Sequence, residues 1–393
     1  MVETHGIIFT GMERTNNISR PAGAARMRTF LGEHGYNIEV IDYFGEFTLE
    51  ELKQVYDKYI SKKTLFIGAS ITFLYSFEKM SEMFRYVKDK YPWVKVLLGG
   101  NETAMIGLDF STVDNILWGY SEQAMLHYVK FLSKKLLNDL PWVPYKGTKS
   151  IDAERLYTND TNDLTIKWLH SDGIKNNFLP IEISRGCIFK CAFCSYKLNG
   201  KKKLDYLRNA KLVAEELMDN YNRFGITKYY FLDDTFNDSN SKLEALHSEI
   251  TKLPFKIEFW TYLRADLLAR YPEQMKLMKE MGLRHAFFGI ETFNNDPRIN
   301  DIVVVTHTAP LRRFRYVPSN MDARHLGRSG NSLMQTVLMA NTNKKIKAWC
   351  FGHYHNPVDM DVAGIRYVSN PRGRGDTPHH QTVYYPKRIT VKY

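Results

Sequence analysis

Three cysteines, Cys187, Cys191 and Cys194, fall within eight residues in the spacing Cys-x3-Cys-x2-Cys, on a stretch that opens with Gly186. Thiolates so close together on one loop can all point at one inorganic centre. A four-iron, four-sulfur cubane normally takes four protein thiolates. Three local ones leave one iron open to a small-molecule ligand. Two other chemistries compete. A disulfide network would leave one of the three unpaired, and nothing in the sequence indicates secretion. A structural zinc site takes four Cys or His ligands in two separated pairs, whereas the fourth cysteine, Cys350, lies far away in a different context. The spacing favours an iron–sulfur site over zinc or coincidence.

More chemistry-bearing residues follow apolar, strand-like runs. Asp233 and Asp234 end Lys228-Tyr-Tyr-Phe-Leu-Asp-Asp, Arg264 and Asp266 follow Ile257-Glu-Phe-Trp-Thr-Tyr262, and Glu291 follows His285-Ala-Phe-Phe-Gly-Ile290. With Leu179-Pro-Ile-Glu-Ile-Ser184 ahead of the cysteines and a helix predicted from near Asn209 to Arg223, residues 179–295 read as strand–loop–helix repeats. In βα barrels the chemistry gathers at the C-terminal ends of strands. Taken singly, each carboxylate is as readily a strand-end salt bridge or a helix cap.

Together these motifs resemble the radical S-adenosylmethionine (SAM) enzymes: Cys-x3-Cys-x-Phe-Cys, Asp-Asp-x-Phe, Arg-x-Asp and Gly-Ile-Glu-Thr all stand in order. The resemblance implies a 4Fe-4S cluster on Cys187, Cys191 and Cys194, with SAM at its open iron. It implies Arg264 paired with the SAM carboxylate, a match for guanidinium fork geometry. Glu291 and one of Asp233 and Asp234 would accept from the SAM amine or ribose, and Phe193 would lie beside the adenine. Such a centre passes one electron to SAM and starts radical chemistry on a substrate, methyl transfer among the outcomes, fed by a reductant such as flavodoxin or ferredoxin.

Residues 1–140 alternate strands and helices. Strands are predicted at Gly6–Thr10, Asn37–Asp42, Leu65–Ala69, Val94–Leu98 and Asn115–Trp118, with helices at 22–35, from Thr48 as N-cap to Ile60, at 77–90 and from Ser121 to Leu137. That alternation implies a parallel, doubly wound, Rossmann-like sheet. Gly35-Tyr-Asn-Ile-Glu-Val-Ile-Asp42, Ile67-Gly-Ala-Ser70, Gly99-Gly100 and Trp118-Gly-Tyr-Ser-Glu122 resemble the cobalamin-binding-type domain that precedes one branch of radical SAM enzymes. Members that hold cobalt through a histidine carry Asp-x-His-x-x-Gly after the first strand. Here that place reads Gly11-Met-Glu-Arg-Thr-Asn-Asn-Ile, so cobalamin is expected, if at all, without a protein ligand. Residues 141–178 read as a linker, with Trp142 and Trp168 as anchors.

The barrel pattern stops at four units. Residues 293–300 leave no room for the helix that a parallel crossover to Asp301-Ile-Val-Val-Val-Thr306 needs. Residues 300–393 resemble instead the C-terminal half of calcineurin-like metallophosphoesterases, through Val304-Val-Thr-His-Thr-Ala-Pro310, Trp349-Cys-Phe-Gly-His-Tyr-His355 and Tyr367-Val-Ser-Asn-Pro-Arg-Gly373. That likeness implies a divalent metal on His307, His353 and His355, and phosphoesterase chemistry. The Asp-x-His, bridging Asp and Asn-His motifs of that family are missing upstream. The chain thus reads as an α/β protein: a Rossmann-like domain, a radical SAM core of about four units and a phosphoesterase-like fragment. A metal-dependent phosphoesterase, or an inactive chimera of two incomplete domains, is the alternative.

The 393 residues carry a net charge of +11, with 44% hydrophobic and 25% charged residues, as in ordinary globular proteins. No apolar run is long enough to span a bilayer, and reduced thiols beside an oxygen-sensitive cluster suit the cytoplasm. Residues 301–393 hold 14 Lys and Arg against 5 Asp and Glu. That basic excess leaves an anionic partner such as nucleic acid open, beside the plainer reading of a solvated surface.

Overall fold

Apolar runs buried on both faces, separated by helices, build the first half as the alternation predicts. In chain order these are β1 (Gly6–Thr10), α1 (Ala22–Glu33), β2 (Ile38–Ile41), α2 (Leu49–Tyr59), β3 (Phe66–Ser70), α3 (Phe77–Lys90), β4 (Lys95–Gly100), β5 (Asn115–Trp118) and α4 (Glu122–Leu132). The structure, a computed structural model, describes residues 3–10, 20–70, 77–100, 108–156, 162–174, 178–191, 206–288, 302–306, 344–351 and 357–369. Thr48 caps α2 as expected: its Oγ1 accepts from the Glu51 N–H at 3.2 Å, and the Glu51 carboxylate accepts from the Thr48 N–H at 2.7 Å.

The strands lie in the order β2-β1-β3-β4-β5, all parallel. Ligands of such doubly wound sheets bind beyond the carboxyl ends, at the point where strand order reverses. Within residues 141–178, read from sequence as a linker, residues 143–152 extend this sheet instead. β6 (Val143–Tyr145) and β7 (Thr148–Asp152) form a hairpin, and β7 pairs parallel with β5. Lys146 and Gly147 both hold positive φ, +46° and +85°, which suits the two-residue turn of a hairpin. The polar character of this edge hid it from hydrophobic patterning. Trp168 is an anchor as expected, 2% exposed in the core of the next sheet.

That sheet is a parallel half-barrel. It comprises β8 (Leu179–Glu182), α5 (Ala210–Phe224), β9 (Lys228–Leu232), α6 (Asn240–Ile250), β10 (Glu258–Leu263), α7 (Ala265–Arg270), α8 (Gln274–Met281) and β11 (Leu283–Phe288), with the strands in chain order. Its core stacks Phe231 on Phe259, ring centroids 4.2 Å apart, with Phe236 edge-on to both. Gly282 holds φ +106°, and a Cβ there would collide with the Ile257 carbonyl oxygen. Only glycine lets α8 turn into β11 this close to β10.

Residues 1–289 form one compact unit and 290–393 another. In the second, β12 (Ile302–Thr306), β13 (Ile346–Phe351), β14 (Val358–Val362) and β15 (Ile365–Ser369) make a sheet ordered β12-β13-β15-β14. β12, β13 and β15 are parallel, while β14 returns antiparallel to β15.

Candidate functional site

The cysteine loop leaves the carboxyl end of β8. Cys187 is buried, with its Sγ 3.4 Å from Thr235 Oγ1 and accepting from the Phe189 N–H at 3.4 Å. Burial pushes the Cys187 thiol up, and the two hydrogen bonds offset part of that. Cys191 lies beside Arg264, whose Nη1 is 3.9 Å from its Sγ. The Arg264 guanidinium also stacks 4.0 Å from the Phe189 ring centroid and forms a fork on Asp266, at 3.0 and 2.8 Å. The ends of β8, β9 and β10 thus meet at these thiols. Cys194, Phe193 and Glu291 lie outside the described residues, as do His307, His353, His355 and the stretch Gly11–Ile18.

The loop after β9 divides its two carboxylates between different tasks. Asp233 turns inward, accepting from the Thr235 N–H at 2.9 Å and from Lys242 Nζ at 3.0 Å. Lys242, fully buried on α6, also pairs with Asp238 at 2.5 Å, and Asp238 accepts from the Tyr206 hydroxyl at 2.8 Å. Burial alone would push the Lys242 ammonium down; Asp233 and Asp238 outweigh it and hold it above the ordinary lysine value. Asp234 lines the same cavity as Asp233 but receives no hydrogen bond from any described side chain. Burial, then the Asp233 and Glu182 carboxylates, push its carboxyl up to about 7. Asn237, three residues on, holds the backbone of Arg264: its Nδ2 donates to the Arg264 carbonyl at 3.0 Å and its Oδ1 accepts from the Arg264 N–H at 2.8 Å.

The cavity has a volume of about 350 Å³, within the range of small-molecule sites. One wall is the carboxyl edge of the doubly wound sheet: Gly68, Ala69 and Ser70 at the end of β3, Leu98, Gly99 and Gly100 on β4, and Gly119 and Tyr120 after β5. Pro21 to Ala24, at the start of α1, close a second side, and Glu182, Ser184, Arg185, Asp234 and Tyr262 bring the half-barrel to the third. A Cβ added at Gly68 or Gly99 would meet nothing nearer than 3.8 Å. It would occupy space that the glycines leave to an occupant.

Four buried charges join the two halves at this cavity. Glu122, the first residue of α4, accepts from Arg26 Nε at 2.9 Å and from Arg185 Nη1 at 3.0 Å. Glu182 accepts from Arg185 Nε at 2.9 Å and pairs with Arg26 Nη1. Burial would push the Glu122 carboxyl up, but Arg185 and then Arg26 outweigh it and hold it at about 2. The sequence reading missed this ring, together with Lys242, Thr235 and Asn237. Its one local signal is Arg185, two residues ahead of Cys187. Three stretches that it did single out, Ile67–Ser70, Gly99-Gly100 and Trp118–Glu122, come together on one cavity wall.

Residues 181–315 match the radical SAM superfamily. The chain is 25% identical over 299 residues to an uncharacterized methyltransferase of Pyrococcus horikoshii, covering 72% of this chain and 62% of that one. It is 22% identical over 355 residues to the hopanoid C-3 methylase of Methylococcus capsulatus, covering 84% and 64%. It spans less than two thirds of the length of either relative. Among solved structures it shares its fold with the cobalamin-dependent SAM radical enzyme OxsB, solved with aqua-cobalamin and SAM bound, at a TM-score of 0.57 and 15% identity over 89% of this chain and 49% of that one. The family match takes in residues 181–315, about a third of the chain, and with these relatives it marks the chain as an enzyme. The superfamily match runs past residues 293–300, the place of the junction expected from the sequence. The metallophosphoesterase likeness of residues 300–393 finds no counterpart among these relatives. Among the described residues no helix is long and apolar enough to cross a membrane.

Proposed function

We propose that this enzyme is a cobalamin-dependent radical SAM methyltransferase. One observation carries the reading: the glycine-lined carboxyl edge of the Rossmann-like sheet and the strand ends beside the cysteine loop share a single cavity. The donor set of Cys187, Cys191 and Cys194 suits a 4Fe-4S cluster, and the space left by Gly68 and Gly99 suits a flat, bulky corrinoid lying against backbone. Those three thiolates would hold the cluster, which would supply one-electron reduction of SAM, and a corrinoid along the glycine edge would supply a methyl carrier.

The chain's own residues bind and orient. Arg264, held by Asn237 and Asp266 next to Cys191, would turn its remaining Nη1 edge to the SAM carboxylate, while Glu291 would accept from the SAM amine or ribose and Phe193 would lie beside the adenine. Asp234 takes a hydrogen bond from a donor on the cavity's occupant, whereas Asp233 is committed to Lys242. Apolar walls from Ile8, Phe66, Leu98 and Met125 exclude water from the reacting groups. The acceptor is a carbon substrate from which the radical takes hydrogen, and a cytoplasmic flavodoxin or ferredoxin is the reductant.

Anaerobic reconstitution with iron and sulfide counting tests the reading. About four irons per chain are expected in the wild type and in Cys350→Ala, with loss in Cys187→Ala, Cys191→Ala or Cys194→Ala. Fewer than about three irons in the wild type overturns it. Dithionite-driven release of 5′-deoxyadenosine from SAM then tests turnover.

A second, hydrolytic reading rests on the C-terminal sheet. Thr306 and Phe351 are paired at the carboxyl ends of adjacent parallel strands, and His307, His353 and His355 follow those ends in sequence. Mn²⁺-supported hydrolysis of a generic phosphodiester that disappears in His353→Ala would sustain it. Unchanged hydrolysis in that variant would retire it.

A further inference from the structure

The four charges between the halves form a closed ring. Arg26 touches both Glu122 and Glu182, and Arg185 touches the same two carboxylates. Side-chain exposure is between 3% and 12% at every member, so solvent screens these contacts little. The ring carries no net charge. Two members, Arg26 on α1 and Glu122 on α4, belong to the Rossmann-like half; Glu182 on β8 and Arg185 belong to the half-barrel. The Tyr120 ring supports Arg185 from below, 4.4 Å from its guanidinium. All four members line the cavity.

Arg185 is also where the cysteine loop begins. Its backbone N–H donates to the Tyr206 carbonyl at 2.8 Å, and Gly186, at φ +107°, then turns the chain into Cys187. A non-glycine residue rarely adopts that conformation, so glycine suits this bend. The guanidinium is held at one end of it and the first thiol at the other.

We propose that Arg185 and Glu122 are positioning residues that couple the cavity to the cysteine loop. An occupant of the cavity presses on Glu122 and Arg26 from the Rossmann-like side. Arg185 passes that constraint through Gly186 to the placement of Cys187. Packed charge networks of this kind change between discrete arrangements rather than deforming continuously, so loop order follows occupancy. The inference rests on the cofactor reading above only for its choice of probe.

Amide hydrogen exchange across residues 183–191 of the full chain tests it, in Glu122→Asp, which keeps the charge and shortens its reach, and in Glu122→Gln. Thermal melts confirm that each variant is folded at the temperature used. Without any ligand, both variants are expected to exchange several-fold faster in this segment, although Glu122 lies outside it. Hydroxocobalamin should slow exchange there in the wild type and not in Glu122→Gln. In cluster-loaded protein Glu122→Asp should shift the g-values of the reduced cluster. Wild-type exchange rates in both unliganded variants overturn the coupling. So does wild-type exchange that ignores bound hydroxocobalamin. Failure of hydroxocobalamin to bind at all removes the cofactor reading of the cavity, while the unliganded arm still decides the positioning role.

Discussion

Arg264 brings its guanidinium to 3.9 Å from the Cys191 sulfur although 73 positions separate them in the chain. Burial lowers and the Asp266 hydrogen bond raises its tendency to hold a proton, and the Asp266 contribution is the larger. A fixed cation there marks where an anionic ligand group can approach.

Arg264→Lys keeps the charge and loses the fork. It should weaken SAM binding about tenfold, or ~1.4 kcal/mol, and Arg264→Met should weaken it further. Titrating SAM against the spectrum of the reduced cluster measures both. Equal affinity in all three proteins would place the SAM carboxylate elsewhere.

Asp234 has its carboxyl pushed up to about 7, against about 3.9 in an unfolded chain. Its ionised form is thus disfavoured by the fold, and the penalty grows as pH rises from about 4 to about 7 and is complete above that. Asp234→Asn should gain stability over the wild type through that window, by an amount on the order of 4 kcal/mol at most. Chemical denaturation of the cofactor-free proteins at pH 4 and pH 8 checks it. A difference independent of pH would mean that the carboxylate has a partner in solution.

Lys242→Met leaves Asp233 and Asp238 buried without their cation. Breaking a buried pair from one side costs about 3–5 kcal/mol, enough to lower the melting temperature by many degrees. Because Thr235 lies between this network and Cys187, iron uptake should fall as well. A melt within error of the wild type would remove the network from the fold's support.

Gly99→Val should leave the fold intact, since the new Cβ meets only the Leu117 carbonyl oxygen, at an ordinary contact distance of 3.9 Å, in a strand that favours branched residues. It should reduce hydroxocobalamin affinity at least tenfold, or ~1.4 kcal/mol, by filling the floor of the cavity. Absorbance titration reads the affinity. Unaltered binding would move the corrinoid away from this wall.

Much of this site was legible because its determinants are local. The Cys-x3-Cys-x2-Cys spacing is chemistry written within eight residues, and strand periodicity alone brought Asp233, Asp234 and Arg264 to strand ends. The doubly wound order was legible for the same reason: each βα unit is a short-range pattern of apolar runs and caps such as Thr48. Longer-range choices were not. Nothing in Asp233-Asp234 tells which carboxylate is ion-paired, because Lys242, nine positions on from Asp233, decides it. The hairpin of β6 and β7 reads as linker because its residues are polar and its pairing partner, β5, is remote.

The ring of Arg26, Glu122, Glu182 and Arg185 marks that limit most plainly. In sequence these are four ordinary charged residues, two of them on helices where a solvated face is the natural assignment. Their burial follows only when α1, α4 and β8 converge, since an ion pair spanning 96 positions has no local signature. Residue types and spacing therefore specify a thiolate site and the strands that carry it. Tertiary packing decides which carboxylate is free, what closes the cavity and how the two halves are joined, because each depends on desolvating charges that only the folded chain brings together.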